Sequence, residues 1–155
     1  SLCAQKHSQQ IALKKIAYIA ESKLDSIIIC ADQIGEIGNK TLTKPTSRKN
    51  ALNQLINYSN KKAFFYTSTV IFDQKNKQHY KYTDKTIVYF DKITHSLAEA
   101  YLEKDNPMDC AGSFKVECSG SVLFNRIETI DPTALIGLPL IWVSSILKKL
   151  DHIVT

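Results

Sequence analysis

The chain has 155 residues, of which 44% are hydrophobic and 23% charged; that length suits one domain able to hide roughly 68–70% of its unfolded surface. Its longest apolar runs, Ser26–Ala31 and Leu135–Val143, fall short of the ~20 residues of a membrane-spanning helix, and residues 1–10 lack the apolar stretch of a secretory signal. Twenty basic against fifteen acidic residues give a net charge of +5, which favours anionic ligands, but the basic residues are scattered, with short doublets such as Lys14-Lys15, Lys61-Lys62 and Lys148-Lys149, so no nucleic-acid stripe is drawn.

Ser8 is expected to cap a helix to about Lys23, with Ile11, Leu13, Ile16, Ala17, Ile19, Ala20 and Leu24 as its apolar stripe. Ser26–Ala31 is a continuous β-branched run of strand length, which predicts a strand buried on both faces of a parallel or mixed sheet. Asp32 follows at once, at the carboxyl end of that strand, where open α/β sheets bind ligands; a simple turn or capping role is the alternative. Ile34–Leu42 reads as a hairpin turning at Gly38-Asn39, and Thr46 as the cap of a helix to about Tyr58.

Ala63–Asp73 and Gln78–Phe90 alternate apolar and polar residues around the polar turn 74–77, predicting a long antiparallel hairpin with Tyr66, Tyr80, Tyr82 and Tyr89 packed on its faces. Ser96 and Glu99 have capping-box spacing for a helix to about Lys104, stopped by Asn106-Pro107. Residues 122–128 alternate like a strand, and Pro139 opens a final helix through Leu150. No C-x-x-C pair joins Cys3, Cys30, Cys110 and Cys118, so reduced thiols and a cytoplasmic setting are expected.

The stretch richest in chemistry is Asp109–Glu117, followed by Ser119-Gly120. Glycine lets backbone N–H groups approach phosphate oxygens, Lys115 supplies a point charge, and Glu117 can accept from a base edge. An irregular loop with ordinary surface charges is the bland alternative. Lys15 flanks an apolar helix face, where a lysine is ordinarily solvated, and Lys44 sits in a stiff pre-proline position.

Taken together, Ala31-Asp32-Gln33, Lys44-Pro45, Cys110-Ala111-Gly112-Ser113-Phe114-Lys115-x-Glu117 and Ala134–Leu140 resemble the Maf family of nucleoside triphosphate pyrophosphatases, most closely its branch acting on 7-methylguanosine triphosphate. The resemblance covers almost the whole of residues 1–155 and implies a single α/β domain, a long mixed β-sheet flanked by helices. It implies hydrolysis of a nucleoside triphosphate between the α- and β-phosphates, a divalent metal (Mg or Mn), a frequent homodimer, no membrane or stable nucleic-acid partner, and a link to cell division and septum formation. By the same resemblance Asp32 is the catalytic aspartate and a candidate metal ligand. Lys15 and Lys44 face the phosphates, Lys115 belongs to the branch's loop, and Gln33 and Glu117 stand at positions that differ with substrate.

Attack on an α-phosphorus needs a water oriented or deprotonated by a carboxylate and cations on the phosphates; for Asp32 the roles of orienting water and binding metal stay open. A carboxylate at 117 can accept from the N1–H and amino group of guanine, and methylation at N7 leaves that base cationic. Two departures stand out. The family's Ser-x-Ser-Pro loop with its arginine, and a following acidic segment, do not occur in this sequence, so an N-terminal phosphate-binding segment is expected to be missing; and Cys118 stands where this branch has glycine. The alternatives are a nucleotide-binding regulatory protein without turnover and, on charge and tyrosines alone, an RNA-binding module.

Overall fold

A computed structural model describes residues 2–20 and 25–152. In chain order the elements are α1 (Leu2–Ala20), β1 (Ile27–Ile37), β2 (Lys40–Thr41), α2 (Arg48–Tyr58), β3 (Lys62–Asp73), β4 (Gln78–Phe90), α3 (His95–Asp105), β5 (Phe124–Glu128) and α4 (Leu140–Lys149), with 3-10 turns at Ser119–Leu123 and Ala134–Ile136. The strands form one sheet in the order β2-β1-β3-β4-β5. β1 pairs antiparallel with β2, placing Glu36 opposite Thr41, and β4 pairs antiparallel with β5, placing Val88 opposite Ile127. Two compact units result, one from residues 1–34, 66–86 and 129–155, the other from 35–65 and 87–128.

In the first unit, α1 starts well before the expected cap. Ser8 lies inside the helix, fully buried, because its hydroxyl donates to Gln5 O and shares a 2.7 Å bond with Ser68 Oγ instead of capping. Ala4, Ser8, Ala12 and Ile16 recur every fourth residue and form the buried stripe, while Ala17 is exposed. The expected end at Lys23 and the stripe residue Leu24 lie outside the described residues. Ala12 and Ile16 pack with Ile28, Cys30 and Val70. On β1, Ile28 and Cys30 point to this cluster and Ile27 on the other face packs against a second one, whereas Ile29 is 37% exposed, so that face is only partly covered.

A second cluster joins Ile71 of β3 to Val143 and Ile146 of α4. The cap of α4 comes from a distance. Asp131, buried, accepts from Ile141 N at 2.7 Å and from Thr133 N at 3.0 Å, and Thr133 Oγ1 accepts from Leu140 N at 2.8 Å. These oxygens satisfy donors that a helix beginning after Pro139 leaves unpaired, and they set a carboxylate at its positive end.

In the second unit, Ser47 rather than Thr46 caps α2, accepting from Asn50 N at 3.2 Å, while Thr46 Oγ1 takes the Asn50 side-chain amide. Thr94 rather than Ser96 caps α3, accepting from Leu97 N, and Asn106 in the left-handed region ends it. Residues 122 and 123 belong to a 3-10 turn, so the last strand starts only at Phe124. Phe114 lies between Phe65, Phe90 and Phe124, with ring centroids 5.4 to 6.2 Å apart. Edge-on aromatic pairs of this kind add about 0.5–1.5 kcal/mol each beyond area burial, which makes Phe114 the anchor of its loop.

Candidate functional site

The long β1 changes the placement of the predicted catalytic residue. Asp32 and Gln33 lie within the strand, not beyond its end, because the strand continues through the polar residues to Ile37. α1 runs alongside, and Lys15 Nζ donates to Asp32 Oδ1 and to Ala31 O, each at 2.9 Å. The lysine side chain is 47% exposed and the aspartate 19%, so Lys15 is held by an ion pair rather than merely solvated. Burial pushes the neighbouring Cys30 thiol up, and the Lys15 charge partly offsets it.

Gln33 is bound on its nitrogen side. Nε2 donates to Thr67 Oγ1 at 2.8 Å, to Ala134 O at 3.0 Å and to Leu135 O at 3.1 Å, and Thr67 Oγ1 in turn donates to Ala134 O at 2.8 Å. The Ala134–Leu140 motif thus reaches β1 and β3 through main-chain carbonyls of its 3-10 turn. That turn is fixed by Asp131, whose carboxyl burial would push up but whose bonds from Thr133, Ile141 and Trp142 hold below the ordinary range. Asp131 N also donates to Asp84 Oδ2 at 3.3 Å, and Asp84 takes the hydroxyls of Thr86 and Thr129.

In the second unit, Lys44 is exposed just after β2. Its neighbour Thr43 accepts from Gly112 N at 3.2 Å, which ties the Lys44 segment to the Asp109–Glu117 loop. Gly112 takes φ +86° there, a conformation a side chain disfavours. Lys115 Nζ lies 3.2 Å from Asp109 Oδ1; that bond raises the lysine and lowers the aspartate. Lys115 N donates to Tyr101 Oη at 2.8 Å, and Asp105 Oδ2 accepts from Ser119 N at 2.7 Å, so α3 grips the loop on both sides of Glu117.

Glu117 itself is exposed on the turn. Gly120 donates to Lys115 O at 3.1 Å and packs so close that a Cβ would stand 2.2 Å from that oxygen. At Cys118, where glycine was expected, φ is −110° and ψ −132°.

The structure therefore brings Lys15, Asp32 and Gln33 together in one unit, and the Lys44 segment with Lys115 and Glu117 in the other. Sequence reasoning missed Thr67, the Ala134 and Leu135 carbonyls, Tyr101, Asp105 and the Asp109 partner of Lys115. The one available signal was the hydroxyl run Thr67-Ser68-Thr69, fully buried in an otherwise apolar strand. Among the described residues no group of three His, Cys, Asp or Glu side chains could hold a metal, and no helix is long and apolar enough to cross a membrane. The four cysteines are free thiols.

Comparison with known proteins agrees with these motifs. A family model described as "Maf-like protein" matches residues 2–150. A 7-methyl-GTP pyrophosphatase of Saccharophagus degradans is 37% identical over 138 residues, covering 89% of this chain and 70% of the relative. Proteins of the same name from Hydrogenovibrio crunogenus and Aliivibrio fischeri are 39% and 38% identical over 142 residues; they cover 92% and 86% of this chain and 71% and 74% of their own lengths. With the match running from α1 through α4 and across both units, the chain belongs to the Maf family.

Proposed function

We propose that this chain hydrolyses a nucleoside triphosphate, with 7-methyl-GTP as preferred substrate, to the nucleoside monophosphate and pyrophosphate. The observation that carries the reading is the agreement of relatives named 7-methyl-GTP pyrophosphatase, 37–39% identical over most of the chain, which favours turnover over a binding-only role. The geometry supports it: Asp32 sits half-buried with a lysine ammonium on one oxygen, a carboxylate beside a cation that phosphate oxygens can share.

Water adds to the α-phosphorus, the bond from that phosphorus to the bridging oxygen breaks, and pyrophosphate leaves with the electron pair. Asp32 orients the water and receives its proton; Lys15 neutralises phosphate charge as it moves onto the leaving group. Lys44 and Lys115 are the further phosphate cations, and Glu117 accepts from the base. A divalent cation, Mg or Mn, fits a site whose protein donor is the single hard carboxylate of Asp32, because Mg²⁺ is commonly held by one or two carboxylates plus substrate phosphates. When bound, it supplies neutralisation of the phosphate oxygens. The same reading expects a cytoplasmic enzyme of nucleotide turnover, with a homodimer as its assembly and a link to septum formation as its setting. Pyrophosphate release from a panel of nucleoside triphosphates tests it: 7-methyl-GTP is expected to lead the panel, and absence of pyrophosphate from every member in Mg²⁺ and Mn²⁺ contradicts it.

A further inference from the structure

The second unit holds a cavity that the proposed function leaves unused. It encloses about 740 Å³ between the β1–β2 turn and the last part of α2, with Lys61 and Lys62 completing its wall. Small-molecule sites commonly measure about 300–1,000 Å³, and none of the six residues given substrate roles above lines this one. Its walls carry charge of one sign: three lysines contribute to them, but no aspartate or glutamate. Lys62 Nζ lies 4.7 Å over the Tyr89 ring. Lys40 and Lys61 are exposed and make no ion pair among the described residues.

Tyr58 supplies a second, independent observation. It lines the cavity, is only 5% exposed, and packs its ring against Phe90 with centroids 5.3 Å apart. A buried tyrosine hydroxyl ordinarily finds a partner, yet this one has none among the described residues, and burial alone pushes the phenol up to about 12. At neutral pH it is therefore a proton donor awaiting an acceptor. The antiparallel pairing of Ile37 with Lys40 sets an apolar side chain beside a cation on the same face of the hairpin, and Leu42 extends the apolar wall.

We propose that this cavity is a second binding site, for a phosphomonoester that carries an apolar ring and has the size of a nucleoside monophosphate. Lys40 and Lys61 neutralise the phosphate, the Tyr58 hydroxyl donates to the ligand, and the ring lies on Ile37 and Leu42. Two unpaired cations match the charge of a phosphomonoester, about −1.5 to −2 at neutral pH, and lysine binds phosphate as a point charge. The apolar wall gives the ring a place that inorganic phosphate would leave empty.

The test titrates the full chain with AMP, with adenosine and inorganic phosphate as controls, and follows main-chain amides by ¹H–¹⁵N NMR. Saturable shifts at Lys40, Asn57, Tyr58 and Lys61 are expected, with AMP at least about tenfold tighter than either control. Lys40→Gln combined with Lys61→Gln should weaken that binding about tenfold or more, and Tyr58→Phe about three- to tenfold. Tyr58→Phe should leave Tm unchanged, because its hydroxyl holds nothing in the free chain.

Shifts confined to Asp32, Gln33 and the Lys115–Glu117 loop would place AMP at the substrate site alone and overturn the proposal. So would AMP no tighter than adenosine or phosphate, either variant binding as the wild type does, or a fall in Tm in Tyr58→Phe. A chain that binds AMP in this cavity but hydrolyses no triphosphate removes the hydrolysis reading and leaves this one standing; turnover with a silent cavity does the reverse.

Discussion

Gly120→Ala tests whether the Lys115–Glu117 loop is held as tightly as its packing implies. The added Cβ would meet Lys115 O at 2.2 Å and the attached carbonyl carbon at 2.9 Å. Ordinary contact of a methyl carbon with a carbonyl oxygen is ~3.4 Å, so one backbone segment must yield by about 1 Å. The obstacle is main chain, which cannot rotate aside as a long side chain would. Retreat of the Lys115 carbonyl breaks the 3.1 Å bond from Gly120 N and loosens the one from Cys118 N.

The lost bond costs about 1 kcal/mol and the overpacking about 1–3 kcal/mol, so a destabilisation of about 2–4 kcal/mol is expected. For a chain near 150 residues that is a fall in Tm of about 4–16 °C, read by thermal denaturation followed by circular dichroism. A rise in KM for the nucleotide should accompany it, because Lys115 and Glu117 share the displaced turn. Unchanged Tm and unchanged KM in the Gly120→Ala variant would refute the reasoning.

Two further outcomes follow from the first unit. The Asp131 carboxyl is held below its ordinary range in the folded chain, so the stability it contributes is complete above the unfolded carboxylate value of ~3.9 and is lost as pH falls through the folded value; Asp131→Asn should lower stability at neutral pH by about 2 kcal/mol, with the gap to wild type closing in acid-denaturation curves below ~pH 4. Lys15→Met should change stability by less than about 1 kcal/mol, since the pair with Asp32 is half exposed, yet reduce kcat/KM for the triphosphate by about a hundredfold if the lysine stabilises charge in the transition state.

How far the sequence revealed this arrangement depended on the kind of signal each residue leaves. β3 and β4 were plain because alternating β-branched and aromatic residues flank a polar turn, and the expected β4 bounds match the strand observed. β1 was read too short, because Asp32, Gln33 and Glu36 interrupt its apolar run although the strand continues through them. Each expected cap was displaced: Ser8 to the interior of α1, Thr46 and Ser96 by one or two positions, since several hydroxyls in a row can serve and packing chooses among them.

The motif residues stood out for different reasons: Asp32 by its place after an apolar run, Lys44 by the proline that follows it, Lys115 and Glu117 by the mixed composition of their loop, and Gln33 only through the family resemblance. Their supports were not: the Ala134 and Leu135 carbonyls belong to the main chain, and Thr67 looks like any strand threonine until its partners are known.

On the proposed function Asp32 drives hydrolysis between the α- and β-phosphates. Pyrophosphate release from 7-methyl-GTP in Mg²⁺, compared between the wild type and Asp32→Asn, addresses it most directly. Steady release of equal amounts of pyrophosphate and 7-methyl-GMP is expected from the wild type, and a loss of at least about a hundredfold from the variant, whose amide cannot take the proton from water. Equal rates in the two chains, or release of inorganic phosphate and 7-methyl-GDP instead, would contradict it.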